Sequence, residues 1–583
     1  MNRQQIAGTL AEVTTLLELR GDNPFRVRAY ANAARIIESL QEDLATLAAE
    51  NRLTEIKGIG TDLAAKIAEM LTTDRLRFHD ELKASFPPGL LDLLRIPGFG
   101  PKKTKAVYDQ LQVDSLEKLE AACQAGKVAE LAGFGEKSQQ KILEGIALLR
   151  QFSGRHHYHT AIAAAEPVLE ALRSHDGVIQ YSVAGSLRRC RETIGDVDFL
   201  VSAKPADAPG IIADFVGMAG VRAVSAQGET KASVVLADGI QADLRVVSDD
   251  QFVFALNYFT GSKEHNIAMR SRALKLKNLS LNEYGFSPAA EKEKSAKELG
   301  SSIPCRTEEE IYAALDLEYV PPELREDMGE LTGKLPQLIV KENLRGVFHV
   351  HSTWSDGVES IEAMVNAALD LGLEYIGISD HSKGQHQANG LDENRLRQQA
   401  AEVKKLNAKF AKQDFRIFFG TEVDILPDGT LDFDDATLAQ CDFVIAAVHS
   451  NFTLPVDAQT KRICRALANP KVTMLAHPTG RLLLEREGYA VNMPEVIAAA
   501  AEYRKIIEIN AHPYRLDMDW RLWKRAKELG VKCSINPDAH SIEDYQYLAI
   551  GAAIARKGWL TKADVVNCLS AKEVEKLFRL GVR

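Results

Sequence analysis

The sequence predicts a multidomain protein with an α-helical N-terminal part, an α+β centre and a C-terminal distorted (β/α)7 barrel. Three observations lead there. The first 150 residues repeat one apolar-x-Gly-apolar-Gly turn between helical stretches. Residues 155–320 mix helices with strand-like runs such as VVLA and ADLRVV. Beyond residue 345, short apolar strand runs alternate with helices, the pattern of a parallel sheet or barrel.

A chain of 583 residues exceeds what one hydrophobic core supports, and about three to five domains are expected. With 45% hydrophobic and 26% charged residues, the composition is that of a globular protein. No apolar run is long enough to span a bilayer, and the start, MNRQQIAGTLAEV, lacks a signal-peptide profile. A cytoplasmic protein with no membrane partner is expected. The seven cysteines form no CxxC and read as reduced thiols rather than disulfides or zinc knuckles. The formal charge of -10 argues against a general nucleic-acid binder. Any DNA affinity must therefore come from local features, and a metal-binding domain would account for the surplus of carboxylates.

Residues 1–85 read as helices, with apolar residues at helical spacing over 9–20 and 26–40. Residues 86–152 are also helical, broken by glycine turns. The repeated turns are Ile56-Lys57-Gly58-Ile59-Gly60, Ile96-Pro97-Gly98-Phe99-Gly100 and Leu131-Ala132-Gly133-Phe134-Gly135. Each precedes an amphipathic helix and resembles the helix-hairpin-helix motif. Gly58, Gly60, Gly98, Gly100, Gly133 and Gly135 permit a tight turn that exposes backbone N–H groups at a helix start. Those amides can hold a DNA phosphate without reading a base.

In the centre, Gly185-Ser186-Leu187-Arg188-Arg189 follows the strand-like run YSVA, and Gly195-Asp196-Val197-Asp198 comes shortly after. Asp-x-Asp on a strand points both carboxylates to one face. Side by side they repel, and a divalent cation between them relieves that repulsion. Asp243 lies in another strand-like run. Three acids on adjacent strands suit two Mg²⁺ or Mn²⁺ ions, and the Gly-Ser turn with Arg189 suits a triphosphate. This pattern resembles the nucleotidyltransferase superfamily. Tyr258-Phe259-Thr260-Gly261-Ser262, then Asn266, Arg270 and Asn282-Glu283-Tyr284, narrow it to a resemblance to DNA polymerase β and its family X relatives. The resemblance implies a nucleotidyltransferase palm with a thumb. Asp196 and Asp198 would bind both metals, and Asp243 would bind the catalytic one and help deprotonate the primer 3′-hydroxyl. Arg155, Gly185, Ser186, Arg189 and Gly195 would contact the triphosphate. Tyr258 and Phe259 would lie against the sugar and discourage ribonucleotides, Gly261 would be a further nucleotide-binding residue, and Asn266 and Arg270 would meet the nascent base pair. After Arg155, HHYH replaces the family's Ile-Pro pair. The resemblance also places Lys66 at a deoxyribose-phosphate lyase position, with Arg26 and Tyr30 in its 5′-phosphate pocket. Asp62 stands where a phosphate-binding lysine is expected, and Lys66 reads equally as a solvated helix lysine.

The C-terminal part carries nine ligand-type side chains after strand-like runs: His349, His351, Asp356, His381, Glu422, His449, His477, Asp538 and His540. In a (β/α) barrel, reactive residues gather at the C-terminal ends of the strands. Imidazole with carboxylate suits Zn²⁺, Mn²⁺ or Fe²⁺. Their order resembles the PHP (polymerase and histidinol phosphatase) family, which implies up to three ions and phosphoester hydrolysis. One ion would take His349, His351, Glu422 and Asp538. A second would share Glu422 with His449 and His477, and a third would take Asp356, His381 and His540.

Taken together, the chain resembles the bacterial family X DNA polymerases with a PHP domain. The expected division is 1–85 as an 8-kDa-like helical domain, 86–152 as fingers, 153–250 as palm, 251–320 as thumb, 321–342 as linker and 343–583 as PHP domain. The implied function is filling short gaps in repair, with a 3′–5′ exonuclease. Gapped or primer-template DNA and dNTPs are the expected partners, and a monomer the expected state. A PHP nuclease, AP endonuclease or 3′-phosphatase whose polymerase half only grips DNA is the alternative. A DNA-end scaffold without activity is the third reading.

Overall fold

The computed structural model describes residues 1, 3–38, 40, 44–96, 98–152, 154–289 and 300–580. The chain divides into two compact units, residues 1–153 and 154–583. Among the described residues no helix is long and apolar enough to cross a membrane, and all seven cysteines are free.

The first unit is helical throughout. Helices Arg3–Arg20 and Pro24–Glu38 pack with Thr61–Thr73 around a core that includes Leu10, Ile37 and Ile67. A second core, around Leu93, Phe99, Val107 and Ile146, lies under helices Pro101–Leu111 and Glu136–Phe152. Each repeated turn has one construction. Gly58, Gly98 and Gly133 take φ of +98°, +72° and +84°, a region that costs residues with a Cβ. Gly60 and Gly100 are the N-caps of the helices that follow. Between the glycines, Ile59 and Phe99 turn inward and are buried.

The second unit opens with a mixed five-stranded sheet. Its strands are β2 (Val178–Val183), β4 (Asp196–Ala203), β5 (Val221–Gln227), β6 (Lys231–Leu236) and β7 (Gln241–Val247), in spatial order β2-β4-β7-β6-β5. In β7, Ala242, Leu244 and Val246 are buried while Gln241, Asp243, Arg245 and Val247 face the other way, the alternation of a half-covered strand. A small sheet pairs β1 (His156–His157) with β3 (Thr193–Ile194). Helices Phe252–Thr260 and Lys263–Lys277 and the hairpin β8 (Leu279–Asn282) and β9 (Gly285–Pro288) follow. Residues 290–299 of the expected thumb lie outside the described residues.

The C-terminal part is a parallel seven-stranded sheet in sequential order: β10 (Gly346–Val350), β11 (Tyr375–Ile378), β12 (Arg416–Asp424), β13 (Phe443–Ala447), β14 (Met474–Leu475), β15 (Ile506–Asn510) and β16 (Lys532–Asn536). Its strands are almost wholly buried, as expected when helices cover a parallel sheet. A parallel bridge between Val350 and Ala539 ties the last strand back to the first, making a nearly closed barrel. Phe348, Phe418 and Phe443 receive Phe578 of helix Ala571–Leu580 in one aromatic cluster.

The stretch 321–342, expected to be a linker, is instead packed structure. Leu324, Arg325, Glu330 and Ile339 are buried, and Ile339 N–H donates to Leu560 O. Prolines and glycines made this stretch read as a linker, but they report only missing helix or strand periodicity. They do not report missing tertiary contact. The mixed sheet and the barrel consequently share one continuous apolar core.

Candidate functional site

The first site lies on the mixed sheet. β4 and β7 run parallel with Asp198 directly opposite Asp243 and Asp196 opposite Gln241. Period-two alternation then sets all three carboxylates on one face. Burial, with Asp196 and Asp243 beside it, pushes the Asp198 carboxyl up to about 6. A carboxylate raised by like neighbours is one that a cation would stabilise, so the three residues fit divalent ions. Lys231 Nζ stands 3.5 Å from Asp243 Oδ2, and Gln241 Nε2 donates to Asp243 Oδ1 at 3.2 Å. A cavity of about 140 Å³ opens here, lined by Asp198, Lys231, Asp243, Arg245 and Phe259.

The short helix Gly185–Arg188 follows β2, and Gly185 (φ +58°) is pressed against Asp198. Ser186 sits in its first turn. Arg155, whose assignment the HHYH segment complicated, is held by Thr193: Nε donates to Oγ1 at 2.8 Å and Nη2 to the carbonyl at 2.5 Å. The β1–β3 pairing places it there, beside Gly195. Arg189 is less available than expected. Its Nε donates to Glu326 Oε1 at 3.1 Å and its Nη1 to Thr260 O at 2.5 Å. Gly261 backs it, since a Cβ there would meet Arg189 Nη1 at 2.9 Å. Tyr258 and Phe259 meet edge to face at 5.2 Å, and Arg245 lies 4.4 Å over Phe259. Asn266 Nδ2 donates to Tyr258 O at 2.7 Å, and Arg270 is exposed one turn later.

Within the first unit, Arg26, Tyr30 and Lys66 gather around Phe78. Tyr30 stacks on it at 6.0 Å, and Arg26 and Lys66 lie over its ring at 5.0 and 5.4 Å. No periodicity marked Phe78. Lys66 is ion-paired with Asp62 one turn earlier.

The second site is at the strand ends of the barrel. Glu422, buried at the end of β12, is the hub: His349, His449 and His477 stand 3.3, 3.2 and 3.0 Å from Oε1. His351 and His381 stand 3.6 and 2.9 Å from Oε2. Asp538 lies 3.3 Å from both His349 and His351. Asp356 lies 3.4 Å from His540 and 3.6 Å from His381. The ligand atoms fall into four overlapping groups, His351-Asp356-His381-His540, His349-Glu422-His477, His349-His351-Asp538 and His381-Glu422-His449. These groups overlap across the expected sets: His381 also reaches Glu422, His351 also faces Asp356, and His349 and His477 meet at Glu422. The overlaps follow from the curvature of the barrel mouth, which brings the strand ends together.

Several of these close approaches lack hydrogen-bond geometry, so among the described residues His349 Nε2, both ring nitrogens of His351, His381 Nδ1, His477 Nδ1 and Glu422 Oε2 are buried without a hydrogen bond. Buried polar atoms need partners, and imidazole nitrogens converging on carboxylates fit transition-metal ions. Burial opposes charge on His449, but Glu422 and Asp424 outweigh it and push it up to about 10. Burial opposes charge on His540 too, yet the Asp356 hydrogen bond and Asp538 raise it to about 9. Burial beside His540 and His381 takes His351 down to about 3. His349, His477 and Asp538 also hold φ of +57°, +24° and +55°, uncommon for residues with a Cβ and often found at functional sites.

Sequence reading missed the groups that orient these ligands. Glu508 accepts from His349 Nδ1 and Asp424 from His449 Nδ1, each at 2.6 Å, which turns Nε2 inward. Asn510 Nδ2 donates to Asp538 Oδ2 at 3.0 Å. Buried Asp380 accepts from Ser352 and Ser355 and so holds the loop carrying Asp356. Arg515 lies 3.6 Å from Asp538. The signals were a second acid two residues after Glu422 in GTEVD and a lone acid inside the apolar strand run IIEIN.

The sequence matches the families described as helix-hairpin-helix domain over residues 1–76, SAM-like helix-hairpin-helix tandem over 90–147, DNA polymerase beta thumb over 255–326 and PHP domain over 348–512. It is 38% identical over 584 residues to "DNA polymerase/3'-5' exonuclease PolX" of Bacillus subtilis, covering 99% of this chain and 100% of that protein. It is 26% identical to DNA polymerase lambda of Rattus norvegicus over 53% of either chain. A probable phosphatase of Caldicellulosiruptor bescii is 28% identical over 33% of this chain and 78% of its own.

Proposed function

This chain belongs to the PolX family, the family X DNA polymerases with a C-terminal PHP domain, and on that premise we propose how its two sites divide the work. The protein is a DNA-directed DNA polymerase and a 3′–5′ exonuclease. Synthesis takes place at Asp196, Asp198 and Asp243 with Mg²⁺ or Mn²⁺, and degradation at the barrel mouth with up to three Mn²⁺, Zn²⁺ or Fe²⁺ ions. The substrates are dNTPs and gapped or primer-template DNA, and the chain acts as a monomer.

Bound cations at either site supply charge neutralisation at phosphorus and lower the pKa of the attacking hydroxyl or water. The protein's residues do the rest. Asp243, contacted by Lys231 and Gln241, accepts the proton of the primer 3′-hydroxyl. Arg155, Ser186, Gly195 and Arg189 take the triphosphate, Arg189 by exchanging its Glu326 contact for phosphate. Tyr258 and Phe259 pack against the sugar, and Asn266 and Arg270 meet the base pair. At the barrel, Glu508 and Asp424 fix the histidine rings, Glu422 bridges the ligand groups, and Arg515 holds the phosphodiester anion. The glycine turns grip backbone on either side of a gap.

One observation favours this reading over a nuclease with a DNA-gripping half: the strand register that sets Asp198 opposite Asp243 beside the Gly185 turn. DNA binding alone has no use for repelling carboxylates facing a phosphate-binding turn. The test is an assay on one-nucleotide-gapped DNA with Mg²⁺ or Mn²⁺, with and without dNTPs. Extension with dNTPs and shortening without them is expected. Shortening alone in both arms would leave only the nuclease.

A further inference from the structure

Lys557 ends the barrel helix Tyr547–Lys557 and is wholly buried. Its Nζ leaves the barrel and enters the polymerase half. It donates to Glu326 Oε1 at 2.6 Å, to Arg189 O at 2.9 Å and to Glu323 O at 3.2 Å. Trp520 covers it at 4.5 Å. Glu326 also holds the Arg189 guanidinium at 3.1 Å and Arg191 at 3.3 Å. The thumb family match ends at residue 326 and the PHP match at 512, so neither family pattern describes this contact.

We propose that Lys557 is a positioning residue for nucleotide binding, neutralising Glu326 and pinning the Arg189 backbone so that the Arg189 guanidinium can pass to the incoming triphosphate. The inference rests on the assignment of Arg189 to the triphosphate. A phosphate must compete with Glu326 for that guanidinium. With Lys557 present, Glu326 keeps a buried cation when Arg189 leaves. Without it, the departure of Arg189 costs a buried carboxylate one of its remaining partners, and such a group is expensive to strand. The hydrogen bond to Arg189 O meanwhile keeps the end of the Gly185–Arg188 turn in place. The barrel is thus part of the polymerase site, although its own ligands serve another reaction.

The experiment uses full-length Lys557→Met, Lys557→Arg, Glu326→Gln, the double variant Lys557→Met/Glu326→Gln, and Arg189→Ala. Steady-state KM and kcat for dNTP on gapped DNA are measured, with dNTP affinity on a 3′-dideoxy-terminated primer and exonuclease rate on the same preparations. Lys557→Met should raise KM about tenfold, the scale of one charged hydrogen bond, with kcat and exonuclease nearly unchanged. Lys557→Arg should stay near wild type. The double variant should recover most of the loss, because the competitor is gone. An unchanged KM in Lys557→Met while Arg189→Ala raises it would overturn the proposal alone. An unchanged KM in Arg189→Ala would instead remove the triphosphate assignment, and the proposal with it. A parallel fall of KM-corrected synthesis and exonuclease that the double variant does not restore would mark a merely structural lysine and also overturn it. If Lys557→Met does not fold, Glu326→Gln decides: a lower KM than wild type supports the proposal, and an equal or higher one refutes it.

Discussion

The carboxylate of Asp198 occupies the space that a side chain at position 185 would need: a Cβ built on Gly185 would stand 2.1 Å from Asp198 Oδ2. Glycine is favoured there twice over, since φ at this position is +58° and a Cβ would have to displace the Asp198 carboxylate. Gly185→Ala should push the Asp198 carboxylate or the Gly185–Arg188 turn aside. Primer extension should drop about 10²-fold, the scale of misplacing a reacting group by about 1 Å. Exonuclease measured on the same preparation should not change.

Asp243→Ala should abolish template-directed incorporation and leave degradation intact. The register places this residue opposite Asp198 on the parallel neighbour strand. A variant that still extends primers at the wild-type rate would remove Asp243 from the site.

Synthesis should depend on pH through Asp198. Burial and its two acidic neighbours raise the group from 3.8 to about 6. Without ions, the native state then keeps a proton that the unfolded chain has released, so stability falls as pH rises through that window. Cations bind the ionised form and compete with the proton. At subsaturating Mg²⁺, extension should rise with pH through a midpoint near about 6, and more Mg²⁺ should move the midpoint down. A midpoint insensitive to Mg²⁺ would exclude this coupling.

Glu422→Ala should cost more degradation than loss of a peripheral ligand, because five histidines converge on this one carboxylate. Supporting groups around metals are typically worth about 10–100-fold, and a shared hub should exceed that. Metal content should fall with it while primer extension survives. Full exonuclease activity with unchanged metal content would place the nuclease elsewhere. Chelation should stop both activities, and Mn²⁺ should restore degradation.

Gapped DNA should be filled faster than an open primer-template, with further gain from a downstream 5′-phosphate. Arg26, held over Phe78, is the group to test: Arg26→Ala should erase the phosphate effect without changing synthesis on open templates. Equal rates of wild type on both substrates would count against the gap preference.

Some of this was written in the sequence because it depends on local order. A glycine pair before an amphipathic helix makes a hairpin whatever surrounds it, and Asp-x-Asp on a strand shares a face because side chains alternate. Ligands at the ends of successive strands converge because a parallel barrel gathers those ends. Other features depended on residues brought together from distant segments. Which histidine faces which carboxylate was settled by barrel curvature and by Glu508 and Asp424, whose role shows only in the distances to His349 and His449. That Phe78 joins Arg26, Tyr30 and Lys66 required helix packing. The sequence alone determined the elements and the chemistry each could carry. Tertiary structure decided that residues 321–342 are packed and that Lys557 reaches Glu326 across 231 residues, because burial of a charge is a property of the surrounding shape and leaves no periodic mark on the chain.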